Sequence, residues 1–546
     1  MSVNYVDVAA LTSSGGVSSA ERARNAANRL SRWADSGRAP RFTAGRASGR
    51  WNVLANGAVL LTPTRADAKR LGLTRRSLAH RWAAHLASAW ATTFLRATPD
   101  GLRIGVNSAR SVRVGGVARG PIVASSDAAD VAAARAVPGG LHITAGHPGR
   151  ATITIRRDGA AVRCAVRVMK WAGSVEAVNV QVTGSAAPAD LLRDLISGET
   201  PRHIRLEPGA WSVILRRPAI PAVWTRGDRL NLSARVRLSG PGVLPVETTL
   251  PIHVTRRHLP PARNMMLFYS NNPETIRDAR TLFRHAIDGM PARLLYHHQN
   301  AGDRALNIAV DVTNDGDSDV PAQIVDGTGP PSMDCVLAGH RAAYKFIKRS
   351  QSATGVILNI PAHGRRRLFL RRLAPGDTMS GIMLVRPLKH GDLSVSVRSE
   401  LPGSAGGGTA RGEEAGTAFE DPDKTVDASY TVNGPWTYVP IGKEGISNAG
   451  GVRLDGNYGV LYTVRLKLNN PTDARKTVRV LFEPRAGEAR AALLINGALT
   501  ETDSTFPPAE VRVASISLAP KQSRMVTVVT MPAAGGSYPA ALIVRG

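Results

Sequence analysis

The string HGRRRLFLRR, His363 to Arg372, sets five guanidinium groups at short spacing. Arginine forks match carboxylate, sulfate and phosphate, so Arg365, Arg367 and Arg371 are candidate anion-binding residues. As a strand and bend the string projects all three to one face, with Leu368 and Leu370 opposite; the plainer reading is a solvated charged face. The string YSNNPE places Asn271, Asn272 and Glu274 in a polar loop. Amides and carboxylates at a loop tip suit sugar hydroxyls, although an Asx-turn before Pro273 gives the same pattern. Asn300 at the end of LLYHHQN and Tyr458 in DGNYGVLY complete the candidate ligand-binding set. Tyr458 is either a loop-tip contact or a ring packing a turn.

Metal and redox chemistry find less support. His297 and His298 are neighbours on a predicted strand and face opposite sides, so they cannot share one metal; one belongs to a core and the other to a surface or interface. The acidic run DVTNDGDSD, Asp311 to Asp319, invites calcium. Aligned on Gly316, however, it puts Thr313 at a ligand position and Ala322 where a chelating glutamate belongs, so an Asp/Asn/Gly turn is simpler. Cys164 and Cys335 lie far apart and read as isolated thiols. The sequence contains no phosphate-binding loop, dinucleotide fingerprint, nucleophile elbow or HExxH string. The expectation is a non-enzyme with no cofactor and no metal.

Elements must position these groups. A helix is predicted from Ser19 through ERARNAANRLSRWAD, a hairpin around Asn56-Gly57, and a second helix over 75–95 whose Leu78, Trp82, Leu86, Trp90 and Phe94 recur every four residues. From Gly101 the pattern alternates between turns, as in half-buried antiparallel sheets. The expected fold is mainly β: Ig-like β-sandwiches in tandem behind a small α/β domain. The divisions are a flexible tail (1–20), the α/β domain (21–98), an Ig-like domain (101–172), a β-domain with a short helix PADLLRDLI (173–260), a sandwich (264–400), a Gly-rich linker (401–424) and a second sandwich (425–546). The two sandwiches read as an internal repeat, with Asn314 matching Asn470, Pro361 matching Pro520, and Leu384-Val385 matching Ile543-Val544.

Residues 102–168, through SARSVRVGG, PIVASSDAADVA and GGLHITAGHPGRATITIRRDGAAVRCAVRV, resemble bacterial Ig-like surface domains and equally the short β-domain that opens pilus-assembly and secretin-type proteins. MLFYSNNPETI, LLYHHQN and LDGNYGVLYTVRLKLNNPTD are similar to an uncharacterised secreted β-sandwich family of cyanobacteria and related bacteria. The resemblances imply an envelope or extracellular address and no reaction.

The 546 residues carry 70 Lys+Arg against 42 Asp+Glu, a formal charge of +28, with 43% hydrophobic residues, which excludes a wholly disordered chain. Ten lysines against sixty arginines fit a GC-rich coding bias, yet the charge still draws polyanions. With 5% aromatics and no nucleic-acid-binding string, nucleic acid is an improbable partner. No apolar run reaches 18 residues, so no transmembrane segment is expected, and Met1 to Gly16 shows no signal peptide. The leading expectation is a structural or adhesive bacterial cell-envelope or surface protein that assembles with itself or contacts anionic glycan or another envelope polymer. The alternatives are a carbohydrate-binding or carbohydrate-active secreted protein and a polyanion-binding protein.

Overall fold

The computed structural model describes residues 1–3, 6–35, 39–91, 94–116, 118, 120–262, 264–287, 289–403 and 416–546. The chain is mainly β, with sandwiches in tandem, and forms two compact units. The first contains residues 1–175, 204–216 and 235–249; the second contains 176–203, 217–234 and 250–546.

The first unit begins with helices α1 (Ser19–Asp35), α2 (Arg65–Arg70) and α3 (Arg75–Ala91) against a three-stranded antiparallel sheet, Phe42–Ala47, Arg50–Ala55 and Ala58–Leu61. Asn56 and Gly57 both take positive φ, 47° and 83°, as a tight hairpin requires. The α3 stripe of Leu78, Trp82, Leu86 and Trp90 is core. The expected flexible tail is instead packed, with Val8 and Ala9 buried and the Met1 ammonium donating to the Ala9 carbonyl at 2.8 Å. The anchor is Asp67, fully buried, which accepts from the Thr12 amide at 2.6 Å and pairs with Arg22 at 2.8 Å. Burial alone would raise this carboxyl; the bonds from Arg22, Thr64 and Thr12 outweigh it and hold the group well below the ordinary carboxylate range. No periodicity in residues 1–20 announces a partner 55 positions away.

Residues 95–169 follow as an eight-stranded sandwich. One sheet runs in the order 132–137, 140–145, 109–116, 95–98, and the other 101–105, 160–169, 149–157, 123–126. Alternate residues such as Leu141, Ile143, Ile153, Ile155 and Val166 fill its core, and Cys164 sits among them as a buried free thiol.

The second unit holds the repeat. In the first sandwich, strand Leu306–Asn314 pairs with Gly364–Leu373, and Val320–Asp326 pairs with both Gly355–Ile360 and Thr378–Pro387. In the second, Tyr462–Asn469 pairs with Ser523–Thr530, and Lys476–Pro484 with Val511–Leu518 and Ala540–Arg545. The register pairs Val325 with Leu384 and Leu481 with Ile543, so these matched strands pair at matched positions in both copies.

Asn314 and Asn470 do the same work. Each is buried at a strand end, donates to the carbonyl four residues on (Ser318, 2.9 Å; Ala474, 2.8 Å), and accepts the amide two residues on (Gly316 and Thr472, both 3.1 Å). The amide thus replaces backbone partners that the turn removes.

Two boundaries differ from expectation, and the first repeat carries a helical insertion. Residues 173–260 do not close as one domain: strand Val178–Thr183 pairs with Gly355–Ile360 and extends the first sandwich. Of the expected linker, 404–415 lies outside the described residues, while Thr417–Glu420 is a strand on Met266–Ser270 with Phe419 buried. The insertion in the first repeat is a helix, α5 (Cys335–Ser350), capped by Asp334 accepting from the Leu337 amide at 2.9 Å. Its Ala342, Ala343, Phe346 and Ile347 enter a core shared with the second sandwich. Helix α4 (Ala189–Glu199) buries Leu191, Leu192, Leu195 and Ile196.

Candidate functional site

Strand Gly364–Leu373 carries the arginine string and is the outer strand of its sheet. Register against Leu306–Asn314 shifts between Arg367 and Phe369, which leaves Leu368 as a bulge. Arg365 and Arg367, opposite Thr313 and Asp311, share one face; Arg366, Phe369 and Arg371, opposite Val312, Val310 and Ile308, share the other. The three predicted anion-binding arginines therefore do not lie on one face. A single extra residue moves Arg371 across the sheet.

Arg367 is committed elsewhere. It forms a two-bond fork with Asp311 (2.8 and 3.1 Å) and reaches Glu400 at 2.8 Å, while Arg398 meets Asp311 at 2.5 Å. The carboxylates of Asp311 and Glu400 hold the Arg367 guanidinium charged against its burial. Asp311 is 1% exposed, so the first residue of the acidic run serves this network rather than a cation.

The opposite face opens onto a cleft of about 440 Å³ between this strand, α4 and the C-terminal half of α5. Arg366 is buried and bonded to Glu199 of α4. Lys345 of α5 donates to Asp326 at 2.9 Å, and Arg349 bridges Asp326 at 3.4 Å to Asp190 at 2.7 Å. Arg371 is exposed, and its guanidinium carbon lies 5.8 Å from the ring centre of Phe369. The arrangement sets Arg371, without an ion-pair partner among the described residues, beside an aromatic face, with ion-paired walls.

The amide and tyrosine candidates gather elsewhere, where α5 and the second sandwich meet strand Ala292–Asn300. Glu274 approaches His297 Nε2 at 3.7 Å, and Asn271 donates to the Tyr269 hydroxyl at 3.2 Å. Tyr458 packs at right angles to Tyr538, 6.0 Å between centres, and donates to the Gly536 carbonyl at 2.9 Å, so it packs a turn rather than presenting a tip. Asn272 is exposed and precedes a cis Pro273. Asn300 does not join this group. Its amide donates to Arg304 O and Leu373 O and accepts from Gly302, which makes it a third copy of the Asn314 lock and leaves no atom for a ligand.

Both histidines are buried. His298 bonds Ser270 Oγ and Pro273 O, each at 2.9 Å, whereas His297 lies against Gly535 of the second sandwich. A Cβ on Gly535 would fall 3.0 Å from His297 Cε1 and 2.5 Å from the Cys335 carbonyl oxygen, so the close approach needs a glycine, and its φ of 79° needs one too. Burial, with His298 beside it, lowers His297 to about 4; burial lowers His298 to about 4 as well. Burial pushes the Cys335 thiol up, and Asp334 and Glu274 push it further. A protonated thiol lacks the thiolate character of a cysteine nucleophile.

Strand Trp211–Arg216 of the first unit has all six residues exposed, with Trp211 at 52%, Val213 at 47%, Ile214 at 48% and Leu215 at 45%. It ends its sheet and is paired with Arg235–Ser239 on one side.

Residues 7–93 match a family described as a domain of unknown function (DUF8459). A search of curated proteins finds no match. Among solved structures, domains 5–6 of the S-layer protein SbsC match at 13% identity and a TM-score of 0.14, over 30% of this chain and 96% of that one. Human mucin-like protocadherin EC1-2 matches at 10% identity and 0.12, over 30% and 98%. The I-band fragment I67–I69 of titin matches at 8% and 0.13, over 40% and 76%. Scores this low carry no argument about what the chain does.

Proposed function

We propose that this chain is a non-enzymatic structural component of a bacterial cell surface that assembles with copies of itself by strand addition at Trp211–Arg216. The supporting observation is that edge strand. A run of exposed apolar residues with one row of backbone groups unpaired is a template for another strand; a bulge at Leu215 and the charge of Arg216 confine the open stretch to its start. Antiparallel self-pairing centred on Val213 sets Trp211 opposite Leu215 of a second copy and leaves Arg216 beyond the paired segment. The resemblances of 102–168 to Ig-like and pilus-assembly domains, and of the C-terminal half to secreted sandwiches, fit an envelope address.

Size-exclusion chromatography with light scattering, at low and high salt, tests the reading. The expected result is a defined oligomer that survives high salt, because apolar and backbone contacts are little screened, and a monomer for the double variant Val213→Lys, Leu215→Lys. A wild-type monomer at every concentration, or an oligomer indifferent to the double variant, overturns it.

A further inference from the structure

The repeat supplies a control for the cleft. With Asn314 aligned on Asn470, Val310 matches Leu466 and Ile308 matches Val464. Their cross-strand partners are Phe369 and Arg371 in the first sandwich, and Val526 and Val528 in the second. The valines are 0% and 1% exposed, ordinary residues of a closed core. The same two positions in the first sandwich hold an aromatic ring and an exposed guanidinium, on a face that a sandwich normally turns inward. In the second sandwich Ala492–Ile495 pairs with Ser523–Thr530 and continues that sheet; in the first the corresponding strand stays at the sheet margin and its inner face meets the cleft.

We propose that this cleft binds a carboxylate-bearing sugar, with Arg371 on the carboxylate and Phe369 beneath the ring. Its volume lies within the roughly 300–1,000 Å³ usual for small-ligand sites, whose walls combine apolar surface with a few placed polar groups. Leu195, Val356, Leu358 and Met383 supply apolar wall. Arg371 and Asp194 are each without an ion-pair partner among the described residues, whereas Arg366, Lys345 and Arg349 are paired. One free fork selects one carboxylate. The carboxylates of Asp194, Glu199 and Asp326 offer oxygens that accept hydrogen bonds from hydroxyls, and they repel a densely charged phosphate or sulfate polymer more than a single carboxylate. The inference stands apart from strand addition, since Trp211–Arg216 belongs to the other unit.

The test is calorimetric titration of the full chain at physiological salt with a panel of uronate trisaccharides, each beside its methyl-esterified neutral form. At least one acid should bind while its ester binds about tenfold or more weakly, and Arg371→Ala should cost a similar factor. Arg371→Lys should recover part of the loss, because a point charge replaces a fork. Arg372→Ala, on the other face of the same strand, removes the same charge and should leave binding unchanged. Both arginines are exposed, so unchanged unfolding midpoints check the variants. Failure of every acid to bind, equal binding of acid and ester, or equal losses for Arg371→Ala and Arg372→Ala through the general positive field each overturn the proposal.

Discussion

The two sandwiches of the second unit share the pairings of five matched strands and an asparagine turn lock, and differ at their margins. The first is built over: Val178–Thr183 continues one edge of its larger sheet, Met266–Ser270 and Thr417–Glu420 continue the other, and its insertion is α5. The second keeps a four-stranded sheet ending in Thr437–Ile441 and Val511–Leu518, and its insertion is the hairpin Ala492–Glu501. Repeated cores are held by packing, and so change little. Insertions and edges are free to change, and the charged cleft occupies the one place where the first sandwich lacks the hairpin of the second.

The largest expected effect breaks the symmetry on the outer faces. Asp311 neutralises Arg367 and Arg398 in the first sandwich; its counterpart in the second is Lys467, which is exposed. Asp311→Ala leaves two guanidinium groups around one remaining carboxylate and should cost about 3–5 kcal/mol, against roughly 0.5 kcal/mol or less for Lys467→Ala. Hydrogen exchange resolved to peptides of each sandwich separates the two, since protection should fall in 306–314 for the first variant alone.

Acid should also distinguish them. Residues 425–546 contain no histidine, whereas the first sandwich buries His297 and His298, each lowered to about 4. In the unfolded chain both titrate near 6.5, so between pH 6.5 and 4 the unfolded state binds more protons and stability falls as pH falls. Above 6.5 both states are neutral and the effect vanishes. The loss should be on the order of 3 kcal/mol by pH 5, and His297→Gln with His298→Gln should flatten it. A double variant with the wild-type pH profile would show that other groups set the acid limit.

The asparagine locks sharpen the likeness instead. Asn314→Ala and Asn470→Ala each strand buried backbone partners and should cost about 2 kcal/mol apiece, read from urea unfolding followed by exchange in the adjoining strands. Costs differing by more than about 1 kcal/mol would mean that the two turns are not equivalent.

Much of this was legible in the residues. Alternation fixed the strands, four-residue spacing fixed α3, and Asn314 matched to Asn470 aligned two sandwiches that differ almost everywhere else in sequence. What was not legible depended on partners far along the chain or on a single-residue offset. Residues 1–20 pack because of Asp67. Asn300 is a lock because Leu373 lies across from it. The bulge at Leu368 decides which arginines share a face, and nothing in RRRLFLRR marks one leucine as extra. Lys345 and Arg349 reach the cleft from α5, and their partners lie on other elements. WSVILR, with four large apolar residues in six, carried a usable signal; only its exposure distinguishes it from a core strand.

The smallest expected effect is at Arg371, and it bears most directly on what the repeat has become. Val528 sits at the same cross-strand position, fully buried, and Val528→Ala should cost about 2 kcal/mol through lost burial and an unfilled cavity. Arg371 is exposed, with the Phe369 ring beside it, so Arg371→Ala should change stability by no more than about 0.5 kcal/mol. A residue on the inward face of a sandwich that contributes nothing to holding the sandwich together is held there by something other than folding. If Arg371→Ala instead cost as much as Val528→Ala, the guanidinium and the Phe369 ring would be core after all, packed in an unusual way, and the cleft would be a by-product of that packing. A negligible cost, together with an intact fold, separates the position from stability and leaves the chemistry of the fork as the reason for its place.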